Sequence, residues 1–165
     1  MTTNASMPRI SWNTFECSLP AVPTGLRALA QTVREAGLDQ RLTELVKLRV
    51  SQINGCAYCI QFHLNHARRL GMPDHQLDLV AAWPDAGVFT ARECAALAWA
   101  EALTRMAGAH VPDTVFDALK PWFHEDEIIA LTTAVATINA WNRIAGALRF
   151  APPIPQGAIR SEAAG

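Results

Sequence analysis

The spacing of the prolines constrains the fold of this 165-residue chain most. Ten prolines leave three long stretches without one, residues 24–72, 85–111 and 122–151. Proline removes a backbone donor and clashes with the preceding helical turn, so long helices belong in such gaps. The chain also carries 29 alanines, and alanine is the best helix former. The pattern predicts helices at about 24–36 (ending at Gly37), 40–53, 56–71, 74–82, 90–106, 113–119 and 126–148. In the second, Leu42, Val46, Val50 and Ile53 share one stripe, and Asn54-Gly55 is the stop. Thr90 followed by Glu93 has the spacing of a capping box. In the last, Ile128, Leu131, Val135, Ile138, Asn142 and Ala145 fall in register. No sustained period-two alternation and no hairpin signal is present. The reading is therefore an all-α, single-domain bundle of about six to seven helices over 21–150. Residues 1–20 form an N-terminal extension and 151–165 a C-terminal tail, both extending over the surface or a neighbour.

Charge and polarity narrow the function. The formal net charge is −1, with no basic excess of the kind that binds nucleic acid. Charged residues make up 18%, below the usual ~25%, which implies a buried subunit interface and hence a homo-oligomer. No apolar run approaches the ~18 residues of a membrane span, and no basic stretch followed by an apolar one opens the chain. The expected location is the cytoplasm, where structural disulfides are rare.

The reactive groups concentrate in one segment, with the spacing Glu44-x11-Cys56-x2-Cys59-x3-His63. A cysteine at a helix start with a second one turn later is the arrangement of a redox dithiol. The helix N-terminus stabilises a thiolate there. His63 is at i+4 from Cys59, so the two share a face, and an imidazole accepts a thiol proton near neutral pH. Glu44 reaches His63 if the two helices pack antiparallel about Asn54-Gly55. A zinc site on Cys56, Cys59, His63 and His66 fails on length, because ten helical residues span ~15 Å. It would need Cys94, His110 or His124 as well. A thioredoxin-like site would need a preceding strand. Two inert buried cysteines are the plainest alternative.

Other residues read as structural. Cys94 is a buried small apolar residue and Cys17 a bystander. His66 either extends a proton relay or has a structural role. His75, His110 and His124 belong at the surface. Asn139 and Asn142 on an apolar helix either support the site or bridge helices, the second being favoured. Trp12, Trp83, Trp99, Trp122 and Trp141 read as core or interface anchors. No glycine-rich phosphate loop is present, so no cofactor is expected.

The Glu44–Cys56–Cys59–His63 spacing, with Leu42 to Val50 before it and Ala67-Arg68-Arg69-Leu70-Gly71 after it, resembles the core motif of the alkylhydroperoxidase D and carboxymuconolactone decarboxylase family. Phe89 to Ala98 resembles the next core helix, and Ile138 to Arg143 a terminal-helix element of peroxidase-related members. The core likeness spans about 20–105. It implies an all-helical fold, a trimer or hexamer, and, where both cysteines are kept, thiol peroxidase activity. A dithiol such as a lipoyl group would then complete the cycle, and some members partner with a peroxiredoxin. The decarboxylase branch acts on a ring-lactone acid and typically lacks the cysteine pair. Tyr58 stands where alkylhydroperoxidase D carries a histidine, so only Glu44, Cys56, Cys59 and His63 transfer. The mechanism this suggests has Cys59 as the thiolate made by His63, with Glu44 supporting the base and Cys56 closing a disulfide. The reverse order stays open, with Cys56 at the helix end as the more exposed sulfur. Two alternatives accompany it: a lyase on the same scaffold, and a non-catalytic assembly or metal-binding module.

Overall fold

A computed structural model of the chain describes residues 7–155. Among them are nine α-helices and one 3-10 turn, and no strand. The helices are α1 (Trp12–Ser18), α2 (Ala21–Glu35), α3 (Gln40–Ile53), α4 (Ala57–Arg69), α5 (Asp74–Leu79), α6 (Trp83–Ala86), α7 (Ala91–Thr104), α8 (Asp113–Asp117) and α9 (Glu125–Leu148). The turn at Val80–Ala82 joins α5 to α6. The count exceeds the expected six to seven because two short helices were not legible. One is α6, which opens on Trp83-Pro84 with proline in the first turn, where its missing N–H costs nothing. The other is α1, inside the segment expected to extend over the surface. Ser11 caps it by accepting from the Thr14 amide. Proline also misled at α2, which starts at Ala21 rather than Thr24 and holds Pro23 in its first turn. The outer parts of both tails lie outside the described residues.

Helix α3 is the centre of the bundle. Leu42, Val46 and Val50 pack with Val33 of α2, Trp99 of α7 and Leu131, Val135 and Ile138 of α9. Leu45 and Leu48, on another side of α3, pack with Ala67 of α4, Leu77 of α5 and Leu97 of α7. Eight α3 residues are buried, more than the single stripe read from the sequence. A helix enclosed on several sides can hold a buried charge only if that charge is paired, and α3 carries Glu44.

The turn from α3 to α4 sets up the site. Gly55 has φ 64°, a left-handed conformation that costs glycine nothing. Its N–H bonds to the Gln52 carbonyl, and the Cys56 N–H reaches back to the Ser51 carbonyl at 3.0 Å. This is a Schellman closure, and it leaves Cys56 as the N-cap of α4. The capping box expected at Thr90 and Glu93 is present on α7. No helix among the described residues is long and apolar enough to cross a membrane.

Candidate active site

The four sequence-selected residues come together, and all four are buried: Glu44, Cys56, Cys59 and His63. Glu44 projects from the middle of α3, and His63 from α4 two turns beyond Cys56. Their side chains meet at 2.6 Å, His63 Nδ1 to Glu44 Oε2. Lys47, one turn beyond Glu44, donates to the other carboxylate oxygen at 2.9 Å.

The electrostatics follow from this geometry. Burial alone would raise the Glu44 pKa, but the hydrogen bond and charge of His63, with Lys47, hold it down at about 2. Glu44 is therefore an anion and accepts. That requires the His63 proton to sit on Nδ1, leaving Nε2 as a free base. Burial also lowers the His63 pKa against the opposing pull of Glu44, so the imidazole is neutral at pH 7. A carboxylate that fixes the tautomer of a neutral imidazole leaves that imidazole ready to accept a proton.

The two sulfurs sit in different surroundings. Cys56 Sγ accepts the Cys59 backbone N–H at 3.3 Å, as an N-cap. The Cys59 thiol donates to it, and this, against burial, is the largest influence lowering Cys56 to about 7. The Cys59 and Tyr58 amides and the Asn142 side chain add to the effect. Cys59 moves the other way, raised by the same S–H bond to Cys56 and by burial. Cys56 is thus the more acidic sulfur of the pair. Nor is Cys56 the more exposed sulfur: it is 2% exposed and Cys59 3%, and Cys59 is the one that borders the cavity. A sulfur at a helix end is not exposed when the end points into the bundle.

The cavity has a volume of about 240 Å³. Cys59, His63 and Glu44 lie in its wall. Tyr58, Phe62, Trp12 and Trp141 supply aromatic surface, and Arg27, Arg34 and Lys47 supply cationic groups. Trp12 stacks on Tyr58 with centroids 5.5 Å apart, and Tyr58 on Phe62 at 6.2 Å. Trp12 and Trp141 pack against the core, as expected of anchors, and line the cavity as well. Trp99 is buried and bonds Thr132, whereas Trp122 is 45% exposed. His66 lines the cavity and stacks on Phe62. Cys94 is half-buried and Cys17 exposed, and His75, His110 and His124 are exposed.

Asn142 has both roles between which the sequence reading chose. It donates to Ser51 Oγ at 3.1 Å and accepts from Asn54 Nδ2 at 2.9 Å, tying α9 to the α3–α4 turn. Its amide also favours the thiolate form of each sulfur. The visible signal was a polar residue in the apolar register of α9. Lys47 was missed, although a cation at i+3 from Glu44 marks a helix pair. Among the described residues no three His, Cys, Asp or Glu side chains converge as metal ligands would.

The sequence profile of the carboxymuconolactone decarboxylase family matches residues 20–102. The chain belongs to this family. An uncharacterized Bacillus subtilis protein, YdfG, is 30% identical over 129 residues, covering 76% of this chain and 88% of that protein. A crystal structure from Agrobacterium tumefaciens is 35% identical with a TM-score of 0.84, covering 90% of this chain and all of that one. It is a protein of unknown function for which a role as the antioxidant defence protein AhpD has been suggested. A peroxidase-related protein with an alkylhydroperoxidase AhpD core, from Ralstonia eutropha, is 21% identical with a TM-score of 0.73. It covers 84% of this chain and 74% of its own, and shares the fold. The family resemblance expected from the Glu–Cys–Cys–His spacing and the all-helical architecture is confirmed.

Proposed function

We propose that the protein is a dithiol peroxidase and disulfide oxidoreductase of the alkylhydroperoxidase D type, acting on organic hydroperoxides. The observation that carries the reading is the buried Cys56–Cys59 pair at the start of α4, Cys59 lying in one cavity wall with a His63 imidazole that Glu44 holds at 2.6 Å. Cys59 is the attacking sulfur, because it borders the cavity while Cys56 does not. Its proton passes to Cys56, its hydrogen-bond partner, or to Nε2 of His63. The Cys59 thiolate attacks the terminal oxygen of ROOH and the O–O bond breaks. The leaving alkoxide takes a proton and departs as ROH, and Cys59 becomes a sulfenic acid. Cys56 then attacks the Cys59 sulfur, water leaves, and a disulfide closes. Two electrons have moved from the dithiol to the peroxide. An external dithiol such as a lipoyl group returns them by thiol–disulfide exchange, and a peroxiredoxin is the alternative protein partner. His63 supplies and recovers protons, and Glu44, anchored by Lys47, acts as its positioning group. No bound cofactor enters the scheme.

A cytoplasmic setting supplies such reductants, and a trimer or hexamer is the assembly we propose from the low charged fraction and the family. Consumption of cumene hydroperoxide with a dithiol donor should be lost in Cys59→Ser and in His63→Ala. Unchanged turnover in both ends the reading. One equivalent of hydroperoxide should also produce a Cys56–Cys59 disulfide in peptide mass maps. Turnover of a carboxylated lactone that survives loss of both thiols would instead establish the lyase alternative.

A further inference from the structure

Helix α2 contributes four residues to the cavity wall, and their pattern is uneven. Arg27, Ala30 and Arg34 follow at i, i+3 and i+7, one face of the helix, and all three line the cavity. The two arginines are about 10 Å apart along the axis. The small side chain between them leaves open space over Ala30. Val33 on the same helix closes the floor with Ile138 of α9.

The two arginines are not equivalent. Arg27 pairs with Glu16 of α1 and lies over the Trp12 ring at 5.9 Å, so it fastens α1 to α2. Arg34 has no carboxylate partner among the described residues; its guanidinium bonds the neutral Gln31 amide oxygen. That leaves its charge uncompensated at the exposed rim. The acid in the cavity is Glu44, and both its oxygens are engaged, one by Lys47 and one by His63. The cavity therefore presents an apolar, aromatic interior and a net positive rim.

We propose that this site selects hydroperoxides built as an apolar, preferably aromatic, body with one anionic end, the body lying against Tyr58, Phe62 and Trp141 and the anion meeting Arg34 at the rim. The peroxide group then enters first, toward Cys59. The aromatic walls accept a flat body by stacking and edge contacts. Arg34 binds a carboxylate through paired N–H donors. The inference rests on the peroxidase reading for the reaction but not for the binding preference, and the two are separable by experiment.

Kinetics of cumene hydroperoxide and its 4-carboxy analogue, with dithiothreitol as the uncharged reductant, give the first arm. The carboxylate should be favoured about tenfold in kcat/KM, the worth of one charge-assisted hydrogen bond. The preference should shrink toward one in Arg34→Gln and with added salt. It should persist in Arg69→Gln, which alters an exposed cation outside the cavity. Calorimetry of 4-isopropylbenzoate against 4-isopropylbenzamide gives a second arm that needs no turnover. Tighter benzoate binding, lost in Arg34→Gln, supports the proposal even if neither hydroperoxide is consumed, a result that would sink the peroxidase reading alone. Equal binding of acid and amide to the wild type, or a preference that survives Arg34→Gln, overturns it.

Discussion

Two paired carboxylates, Glu44 on the central helix and the half-buried Glu101 beside it, are employed differently. Glu44 on α3 meets Lys47 and His63 beside the cavity. Glu101 on α7 meets Arg49 of α3 at 2.6 Å, the Trp83 indole N–H at 2.9 Å and Arg105 at 2.5 Å. Each has its pKa lowered by partners that outweigh burial. The partners of Glu101 all keep their protons near neutral pH, and the carboxylate ties α3, α6 and α7 together. One partner of Glu44 is an imidazole, which exchanges protons in that range, and it faces open space shared with a thiol. A depressed carboxylate pKa therefore does not mark a functional site. A titratable neighbour with access to a cavity does.

Exchanging each acid for its amide is the strongest way to break this contrast. Glu44→Gln frees the His63 tautomer and should cut peroxidase turnover by about 100-fold or more, the scale of general acid–base catalysis. Glu101→Gln should keep turnover within a few-fold and instead cost about 1–2 kcal/mol in urea unfolding, as expected when a half-buried, hydrogen-bonded carboxylate loses its charge. If Glu101→Gln matched the loss of turnover in Glu44→Gln, the division between chemistry and stapling would fall.

The dithiol offers a second handle. Cys59→Ala removes the S–H that most lowers Cys56, so the Cys56 pKa should climb from about 7 toward the ordinary thiol range near ~8.5. The pH profile of iodoacetamide alkylation reports it. An unmoved profile would mean that the helix N-cap, rather than the neighbouring thiol, holds the anion.

Acid stability sharpens the comparison further. The folded Glu44 pKa lies below that of the unfolded chain, so its stabilisation is present above about pH 4.5 and lost as pH falls through about 2. Glu101 is shifted in the same direction and contributes to the same limb. His63 has its folded pKa lowered from 6.5. The unfolded chain therefore takes the proton first, and stability falls as pH drops below about 6.5. Urea midpoints between pH 8 and 5 should show this decline in the wild type and not in His63→Gln. Glu101→Gln should retain it, since its partners do not titrate there.

The smallest effect concerns Asn142. Asn142→Ala should raise the Cys56 pKa by under one unit, since the amide is a minor contributor. It should also cost about 1–2 kcal/mol by leaving Ser51 and Asn54 short of partners. A stability loss with no movement of the thiol pKa would make Asn142 a helix bridge alone.

The long helices were legible because proline spacing and apolar register are local properties, and the observed bounds of α3, α7 and α9 differ from expectation by two residues or fewer at each end. Short α6 and the start of α2 were hidden by prolines that a first helical turn tolerates, and α1 by its place in a segment that reads as an extension. Glu44, Cys56, Cys59 and His63 were legible for a related reason. They lie within twenty consecutive residues on two helices joined by a glycine turn, so chain connectivity alone brings them close. Which sulfur is the more acidic was not legible, because it depends on how the N-terminus of α4 is buried and on an amide from α9.

The amino-acid order thus determined the helical bundle and the four reactive groups, since both follow from periodicity and short spacing. The cavity belongs to tertiary structure. Trp12, Arg34 and Trp141 come from α1, α2 and α9, distant in the chain, and no spacing rule relates them. Only packing places an aromatic wall and an unneutralised cation around Cys59, and only burial among those walls decides which protons the site holds.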